Sequence, residues 1–141
     1  MSDRPTRILV LCTGNSCRSQ MAEGYLRRFA GGCAEVHSAG IQAHGLNPRA
    51  VAVMQEDGVD ISAHTSKTID AFEGSTFDMI LTVCDSAREN CPWFPARAER
   101  MHHDFPDPAK AQGSEEEIVQ EFRRARDLIK AYCRDLIGQL A

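Results

Sequence analysis

The sequence predicts an α/β fold, a three-layer sandwich in which helices flank a central four-stranded parallel sheet. Apolar runs of strand length alternate with segments of helical periodicity, which is typical of such folds. The run at 77–83 is almost continuously apolar, as expected of a central strand that is covered on both faces. Cys12 and Cys84 stand where predicted strands end, and open α/β sheets bind their ligands at that edge.

The composition favours one domain, which we expect to span residues 1–141. A net charge of −4 and an aromatic content of 6% argue against a basic or stacking surface for nucleic acid. The apolar run at 8–11 is too short for a signal peptide or a membrane span. We therefore expect a cytoplasmic monomer with no membrane or nucleic-acid partner, in which the six cysteines are thiols.

The first half of the chain is predicted to contain two strands and three helices. A strand at 7–12 leads into a helix that ends at Gly31 and whose apolar positions are Met21, Ala22, Tyr25 and Phe29. A short strand is predicted at 36–38. An N-cap asparagine and a first-turn proline begin a helix at 47–56, and a further helix is predicted at 66–72.

The second half is predicted to contain two strands and one long helix. The apolar strand at 77–83 is followed by a more polar candidate strand at 97–103 and by a loop at 104–113. Ser114 and Glu117 have the spacing of a capping box, which predicts a helix start. The apolar face of that helix is predicted to consist of Ile118, Phe122, Ala125, Ile129, Tyr132, Cys133, Leu136 and Leu140.

The segment Cys12–Ser19 has the features of a loop that binds tetrahedral anions beside a nucleophilic cysteine. Five residues separate Cys12 from Arg18, and a helix begins where the loop closes. Backbone N–H groups and the helix N-terminus attract an anion, and an arginine can bind two of its oxygens. Such surroundings also favour the thiolate of Cys12. The predicted substrate-binding residues are Thr13, Gly14, Asn15, Ser16, Cys17, Arg18 and Ser19.

This loop has two other interpretations, both of which fit less well. Cys12 could be a buried cysteine in a strand-to-helix turn, with Arg18 in solvent, but the flanking strand and helix favour the functional interpretation. A nucleotide-binding P-loop fits less well, because Arg18 stands where its lysine would be and the Gly-Lys-Ser/Thr ending is missing.

Together with Gln20–Gly24, this loop resembles that of the low-molecular-weight protein tyrosine phosphatases, and specifically the thioredoxin-coupled arsenate reductases of that fold. The similarity runs over nearly the whole chain. It includes the segments His37–Gly40, Gly45–Pro48 and Asp60–Ser66. The resemblance implies arsenate as substrate and a role in arsenic detoxification, with reduced thioredoxin as electron donor and no bound cofactor or metal.

A second feature of the resemblance is the pair Cys84 and Cys91, which a phosphatase does not need. Reduction of As(V) requires two electrons, more than Cys12 alone can supply while returning to its starting state. The resemblance implies that Cys12 attacks arsenic, Cys84 attacks Cys12 to release arsenite, and Cys91 attacks Cys84. Because the two cysteines lie seven positions apart, we expect the segment between them to change conformation on oxidation.

Two alternatives for Cys84 and Cys91 stay open at this point. They could be core residues, since free cysteine is often buried. They could also bind zinc with His102 and His103, although the spacing of the cysteines differs from that of a zinc knuckle.

The remaining candidate residues surround the loop. By resemblance Asp107, in a proline-rich turn, is the general acid that protonates the departing oxygen, although Asp-Pro turns also occur without function. Ala109 stands where the phosphatases of this fold typically carry a tyrosine. Ser19 is expected to donate a hydrogen bond to the Cys12 thiolate, and Asn15 to brace the loop.

Some relatives bind potassium near this loop, and the resemblance supplies three matching residues, Asn15, Glu23 and Ser38. The fourth position holds Lys67, whose ammonium group would replace the cation. We therefore expect no dependence on potassium. Three hypotheses for the whole chain follow: an arsenate reductase, a low-molecular-weight phosphatase, and a non-catalytic redox or anion-sensing module.

Overall fold

The computed structural model describes residues 5–72, 74–84 and 98–140. Its sheet has four parallel strands in the order β2-β1-β3-β4, namely β1 (Thr6–Cys12), β2 (Ala34–Gly40), β3 (Met79–Thr82) and β4 (Glu99–His102). The helices are α1 (Arg18–Ala30), α2 (Pro48–Glu56) and α3 (Glu115–Leu140), with single 3₁₀ turns at Ile69–Phe72 and Pro108–Lys110. The predicted α/β fold with a four-stranded parallel sheet is confirmed.

The apolar pattern of each strand matches its place in the sheet. The two central strands are the most apolar, and the side chains of Ile8–Leu11 in β1 are completely buried. The edge strands are more polar, and β4 begins with the exposed residues Glu99 and Arg100. A central strand needs apolar residues on both faces, whereas an edge strand borders solvent.

The helix boundaries follow the capping residues. Asn47 accepts hydrogen bonds from the amides of Arg49 and Ala50 at the start of α2. The capping box at the start of α3 is formed, because Ser114 Oγ accepts from the Glu117 amide and Glu117 Oε1 from the Ser114 amide. The buried face of α3 consists of Phe122, Ala125, Ile129, Cys133, Leu136 and Ile137.

Leu140 was predicted on this face and is 37% exposed, because it is the last residue of the helix and Ile137 takes the buried position. None of the helices among the described residues combines the length and apolar character needed to cross a membrane.

The prediction of a helix at 66–72 is wrong, because only the 3₁₀ turn Ile69–Phe72 forms there. Its first residues are held by the rest of the fold. The Lys67 amide donates to Asn15 Oδ1 (2.9 Å), the Lys67 carbonyl accepts from the Gly40 amide (2.9 Å), and Thr68 forms a bridge with Gly40. Backbone groups that bond to the end of β2 cannot also bond within a helix.

Strand β2 is longer than predicted, since it pairs with the whole of β1, from Thr6 opposite Ala34 to Cys12 opposite Gly40. From β1 the chain passes through α1 to β2 on one side and later returns to β3 on the other side. The carboxyl ends of β1 and β3 therefore meet at a switch point, where open α/β sheets form a binding crevice.

Candidate active site

The loop between β1 and α1 surrounds a cavity of about 260 Å³ at this switch point. Most of the predicted binding residues line it, together with four residues from elsewhere in the chain. The lining residues are Cys12, Thr13, Gly14, Ser16, Cys17, Arg18, His44, Asp107, Ala109 and Lys110. The other two predicted binding residues, Asn15 and Ser19, are fully buried beneath the loop.

Asn15 fixes the conformation of the loop from below. Its backbone has a left-handed conformation, with a φ of 48°, and both the nitrogen and the oxygen of its side-chain amide form hydrogen bonds. Nδ2 donates to Ser19 Oγ and Ser38 Oγ, both at 2.9 Å, and Oδ1 accepts from the Lys67 amide and from Gln20 Nε2. Because the amide is satisfied without a ligand, the loop is preorganised. Ser19 keeps its own proton to donate, and its hydrogen bond to Cys12 stays a prediction.

Arg18 begins α1 and is held from the opposite wall of the cavity. Nη1 donates to the Phe105 carbonyl (3.1 Å), and Nη2 lies 3.4 Å from Asp107 Oδ2. The other carboxylate oxygen of Asp107 accepts from the Ala109 amide (3.0 Å) and caps the 3₁₀ turn Pro108–Lys110. The predicted anion-binding arginine and the predicted acid are thus neighbours in the cavity wall.

Cys12 and Cys84 are brought together as the ends of two paired strands. Leu11 pairs with Thr82, so the residues that follow these strands leave the sheet side by side. A side-chain hydrogen bond joins the two thiols, and Thr13 Oγ1 lies 3.2 Å from Cys84 Sγ. Both thiols are buried and neither is in a disulfide. The third predicted redox residue, Cys91, lies outside the described residues.

The thiolate that the sequence predicts at Cys12 is not favoured by the surroundings of this thiol. The hydrogen bond with Cys84 and then burial raise the pKa of Cys12, and they outweigh Arg18 and the Thr13 amide, which lower it. The sequence pattern of the loop contains the effect of Arg18 on Cys12 but not that of the second thiol. Two thiols in contact resist ionising together, because the second negative charge is repelled by the first.

Replacing Cys84 with alanine is therefore expected to lower the pKa of Cys12. We expect alkylation of Cys12 by iodoacetamide to become about tenfold faster at pH 7. The midpoint of the curve of alkylation rate against pH should move to lower pH. The measurement is the rate of Cys12 modification against pH, followed on the Cys12 peptide by mass spectrometry. The control is Cys133→Ala. It removes another buried thiol, which donates to the Ala22 carbonyl and has no contact with Cys12 among those described. An unchanged or higher midpoint in Cys84→Ala would contradict the coupling of the two thiols.

Cys17, the other cysteine of the loop, is a protonated thiol at neutral pH. Burial, and next the negative charge of Asp107, raise its pKa to about 12, although Arg18 lowers it. A thiol with this pKa is a poor nucleophile. Cys17 is therefore expected to serve as part of the cavity wall.

The negative charge of Glu23 beneath the loop is opposed by basic side chains. Glu23 is buried and accepts a hydrogen bond from Ser38 Oγ (2.6 Å). Arg27 Nη2 lies 3.1 Å and His64 Nδ1 3.5 Å from its other oxygen. The charge of Glu23 also acts on Lys67, whose pKa is nevertheless lowered by burial. Arg27 thus already compensates part of the charge that would attract a monovalent cation, whereas burial lowers the pKa of His64 and favours its neutral form.

This arrangement supports the expectation that activity does not depend on potassium. Enzyme assayed in potassium chloride and in sodium chloride at the same ionic strength should be equally active within error. A several-fold increase with potassium alone would show that the ammonium group of Lys67 does not replace the cation.

Three histidines, two of them the candidate zinc ligands of the sequence, have no part in the predicted arsenate chemistry. His44 lines the cavity, His102 Nδ1 lies 2.7 Å from Thr82 Oγ1, and the ring of His103 packs on Phe105 and Tyr132. Within residues 5–72, 74–84 and 98–140, no group of three His, Cys, Asp or Glu side chains is placed to bind a metal ion. The local sequence around His44 carries no signal, because its position depends on pairing with the loop.

Comparison with known proteins agrees with this geometry. A sequence model of the family "Low molecular weight phosphotyrosine protein phosphatase" matches residues 7–141. An arsenate reductase from Halalkalibacterium halodurans is 52% identical over 122 residues, which are 86% of this chain and 88% of that protein.

Solved structures with similar folds include two arsenate reductases. One, described as an arsenate reductase in the phosphate binding state, is 28% identical with a TM-score of 0.79 and covers 96% of this chain and 99% of its own. Another, an arsenate reductase in oxidized state, is also 28% identical, with a TM-score of 0.82 and the same coverage. The chain therefore belongs to the low molecular weight phosphotyrosine protein phosphatase family, in which it is similar to arsenate reductases.

Proposed function

We propose that this protein reduces arsenate to arsenite, with Cys12 as nucleophile and with Cys84 and Cys91 as the thiols that supply the two electrons and end as a disulfide. The observation that carries the proposal is the contact between Cys12 and Cys84 at the oxyanion cavity. A phosphatase regenerates its cysteine with water and has no use for a second thiol at that point. A reductase needs one, because a two-electron reduction by thiols ends in a disulfide.

In the first step arsenate binds in the loop, where backbone N–H groups and Arg18 contact its oxygens. The Cys12 thiolate attacks arsenic and forms a sulfur–arsenic bond. One arsenate oxygen leaves as water, with Asp107 as the proton donor. Because Asn15 already holds the loop in shape, binding of the anion needs no rearrangement of its backbone.

In the second step the Cys84 thiolate attacks Cys12 Sγ. A sulfur–sulfur bond forms, the sulfur–arsenic bond breaks, and its electron pair stays on arsenic, which leaves as arsenite. The two sulfurs have lost the two electrons that arsenic has gained. Because Cys12 and Cys84 are in contact before the substrate arrives, this attack needs only a small movement.

In the third step Cys91 attacks Cys84, which releases Cys12 as a thiolate and leaves a disulfide between Cys84 and Cys91. Reduced thioredoxin then reduces that disulfide by thiol–disulfide exchange. We expect the segment from 84 to 91 to change conformation in this step. The cycle requires a reducing compartment, which is why we propose a cytoplasmic location, and it requires no bound cofactor.

Hydrolysis of small phosphate esters is the second candidate function, favoured by the family to which the chain belongs. The loop presents the same donors to phosphate and to arsenate, because both are tetrahedral oxyanions. Weak phosphatase activity is therefore expected beside arsenate reduction. Ala109 lines the cavity where an aromatic substrate would need a partner ring, so we expect poor binding of phosphotyrosine.

The deciding experiment is arsenate-dependent oxidation of NADPH in the presence of thioredoxin and thioredoxin reductase. The wild type should turn over, whereas Cys91→Ser should release one arsenite per chain and then stop. The control is Cys33→Ser, which removes an exposed thiol just before β2 and should leave turnover unchanged.

Each outcome decides between the candidates. Continued turnover by Cys91→Ser would refute the three-thiol relay. Hydrolysis of an aryl phosphate by the wild type without any arsenite release would refute reduction and favour the phosphatase.

A further inference from the structure

A histidine outside the phosphate-type loop, His44, lies against the glycine of that loop. A Cβ atom built on Gly14 would lie 2.4 Å from His44 Nδ1 and 2.9 Å from Cγ, so the imidazole occupies the space that a side chain at position 14 would need. Gly14 and His44 both line the cavity. The ring edge that carries Nδ1 therefore lies over the loop at the oxyanion cavity.

The backbone of His44 is fixed to the loop as well. The amides of Ile41, Gln42 and His44 donate in turn to the carbonyls of Cys12 (3.3 Å), Thr13 (2.9 Å) and Gly14 (2.9 Å). Ser66 Oγ donates to the same Gly14 carbonyl (3.2 Å) and accepts from the Gly45 amide (3.1 Å). The backbone on both sides of the His44 side chain is thus fixed to the loop, although His44 itself is exposed.

Gln42 sets which ring nitrogen of His44 can gain a proton. Gln42 Oε1 lies 2.7 Å from His44 Nε2, and an amide oxygen only accepts, so Nε2 carries the hydrogen of the neutral ring. The site of protonation is then Nδ1, the atom over Gly14. Protonation adds at that atom both a positive charge and a hydrogen-bond donor.

We propose that His44 is a substrate-binding residue of the oxyanion cavity, whose imidazolium form strengthens anion binding at mildly acidic pH. This inference requires the oxyanion site of the proposed function, but it does not require the thiol relay. The charged and titratable groups that share the cavity with His44 are Cys12, Cys17, Arg18, Asp107 and Lys110. Arg18 is already held by Asp107 and Phe105, whereas His44 adds a charge that depends on pH.

The sign of the pH dependence follows from linkage. An imidazolium ring attracts an anion more strongly than a neutral imidazole ring does, and a histidine gains its charge as pH falls. Affinity for the anion is therefore expected to be highest at the acidic end of the range and to fall as pH rises. A lysine side chain keeps its charge over this range, so its contribution to anion binding does not change with pH.

The test measures sulfate binding by calorimetry in a Cys12→Ser background, from about pH 5.5 to pH 8, where histidine titrates. Sulfate is a dianion over this whole range, and the serine ensures that no change at Cys12 contributes to the pH dependence. We expect affinity to rise as pH falls, and His44→Gln to weaken binding by about fivefold at the acidic end and very little at pH 8. Lys110→Gln should instead weaken binding by a similar factor at every pH.

His37→Gln is the matched control, because His37 lies on β2 and packs on Phe72 and Phe77 rather than at the cavity. It should bind sulfate as the background does. Equal binding by His44→Gln and the background at acidic pH, or the same pH dependence in both, would overturn the role of His44 while leaving the oxyanion site intact. Failure of the background itself to bind sulfate would overturn the oxyanion site and the role of His44 together.

Discussion

Replacement of Arg18 by lysine is expected to lower kcat/KM for arsenate by about 10²- to 10³-fold, the usual cost of removing one donor from an oxyanion site. Lysine keeps the positive charge but not the planar fork that binds two oxygens at once. It also cannot hold the Phe105 carbonyl and the Asp107 carboxylate together, as Nη1 and Nη2 of Arg18 do. The acid loop and the anion loop would lose their common contact.

The control for this experiment lies on the same helix. Arg28 is exposed and donates to the Gly58 carbonyl, so Arg28→Lys should leave kcat/KM unchanged. Arg28→Lys should also keep the melting temperature of the wild type within a few degrees, because exposed charges contribute little to stability. Arg18 is buried, so thermal unfolding of Arg18→Lys should be measured to separate the loss of activity from any loss of folded protein. An Arg18→Lys enzyme with wild-type kcat/KM would show that the anion is bound by the backbone alone.

Much of the site could be predicted because its residues are close in sequence. The spacing of Cys12, Gly14 and Arg18 between a strand and a helix determines the anion loop by itself. The contact of Cys12 with Cys84 was also within reach, because the carboxyl ends of parallel strands share one edge of a sheet. The local sequence pattern could not predict the consequence of that contact, which is the raised pKa of Cys12.

The features that escaped prediction depend on contacts between distant parts of the chain. Residues 66–68 have a helical pattern, but backbone bonds to Asn15 and Gly40 hold them in another conformation. His44 reaches the cavity only because the segment after β2 pairs with the anion loop. Propensity is a weak guide wherever tertiary contacts determine the backbone.

Gly40, at the end of β2, is the point where these contacts converge, and Gly40→Ala is expected to damage both stability and activity. A Cβ at this position would lie 2.5 Å from the Gln42 carbonyl oxygen, 2.7 Å from the Asn15 amide nitrogen and 2.8 Å from the Thr13 carbonyl oxygen. All three atoms belong to the backbone, so no side chain can rotate away. Two of them belong to the anion loop itself.

Relief of this overlap requires the anion loop to move away from β2. Overpacking of this kind typically costs about 1–3 kcal/mol, and we expect the upper end of that range because the backbone must shift. A loss of about 3 kcal/mol corresponds to a fall in melting temperature of about 10 °C for a chain of this size. Activity should fall further than stability, because the shifted amides are those that bind the anion.

Gly32→Ala is the matched control for Gly40→Ala, because a Cβ there meets no atom within 4 Å. Its free energy of unfolding should stay within about 0.5 kcal/mol of the wild type, the usual range for surface substitutions. Thermal unfolding and kcat/KM for arsenate should be measured for both variants. A Gly40→Ala protein with wild-type stability and activity would mean that the anion loop adapts to a side chain behind it. It would then not be the rigid, preorganised site that the bonds of Asn15 indicate.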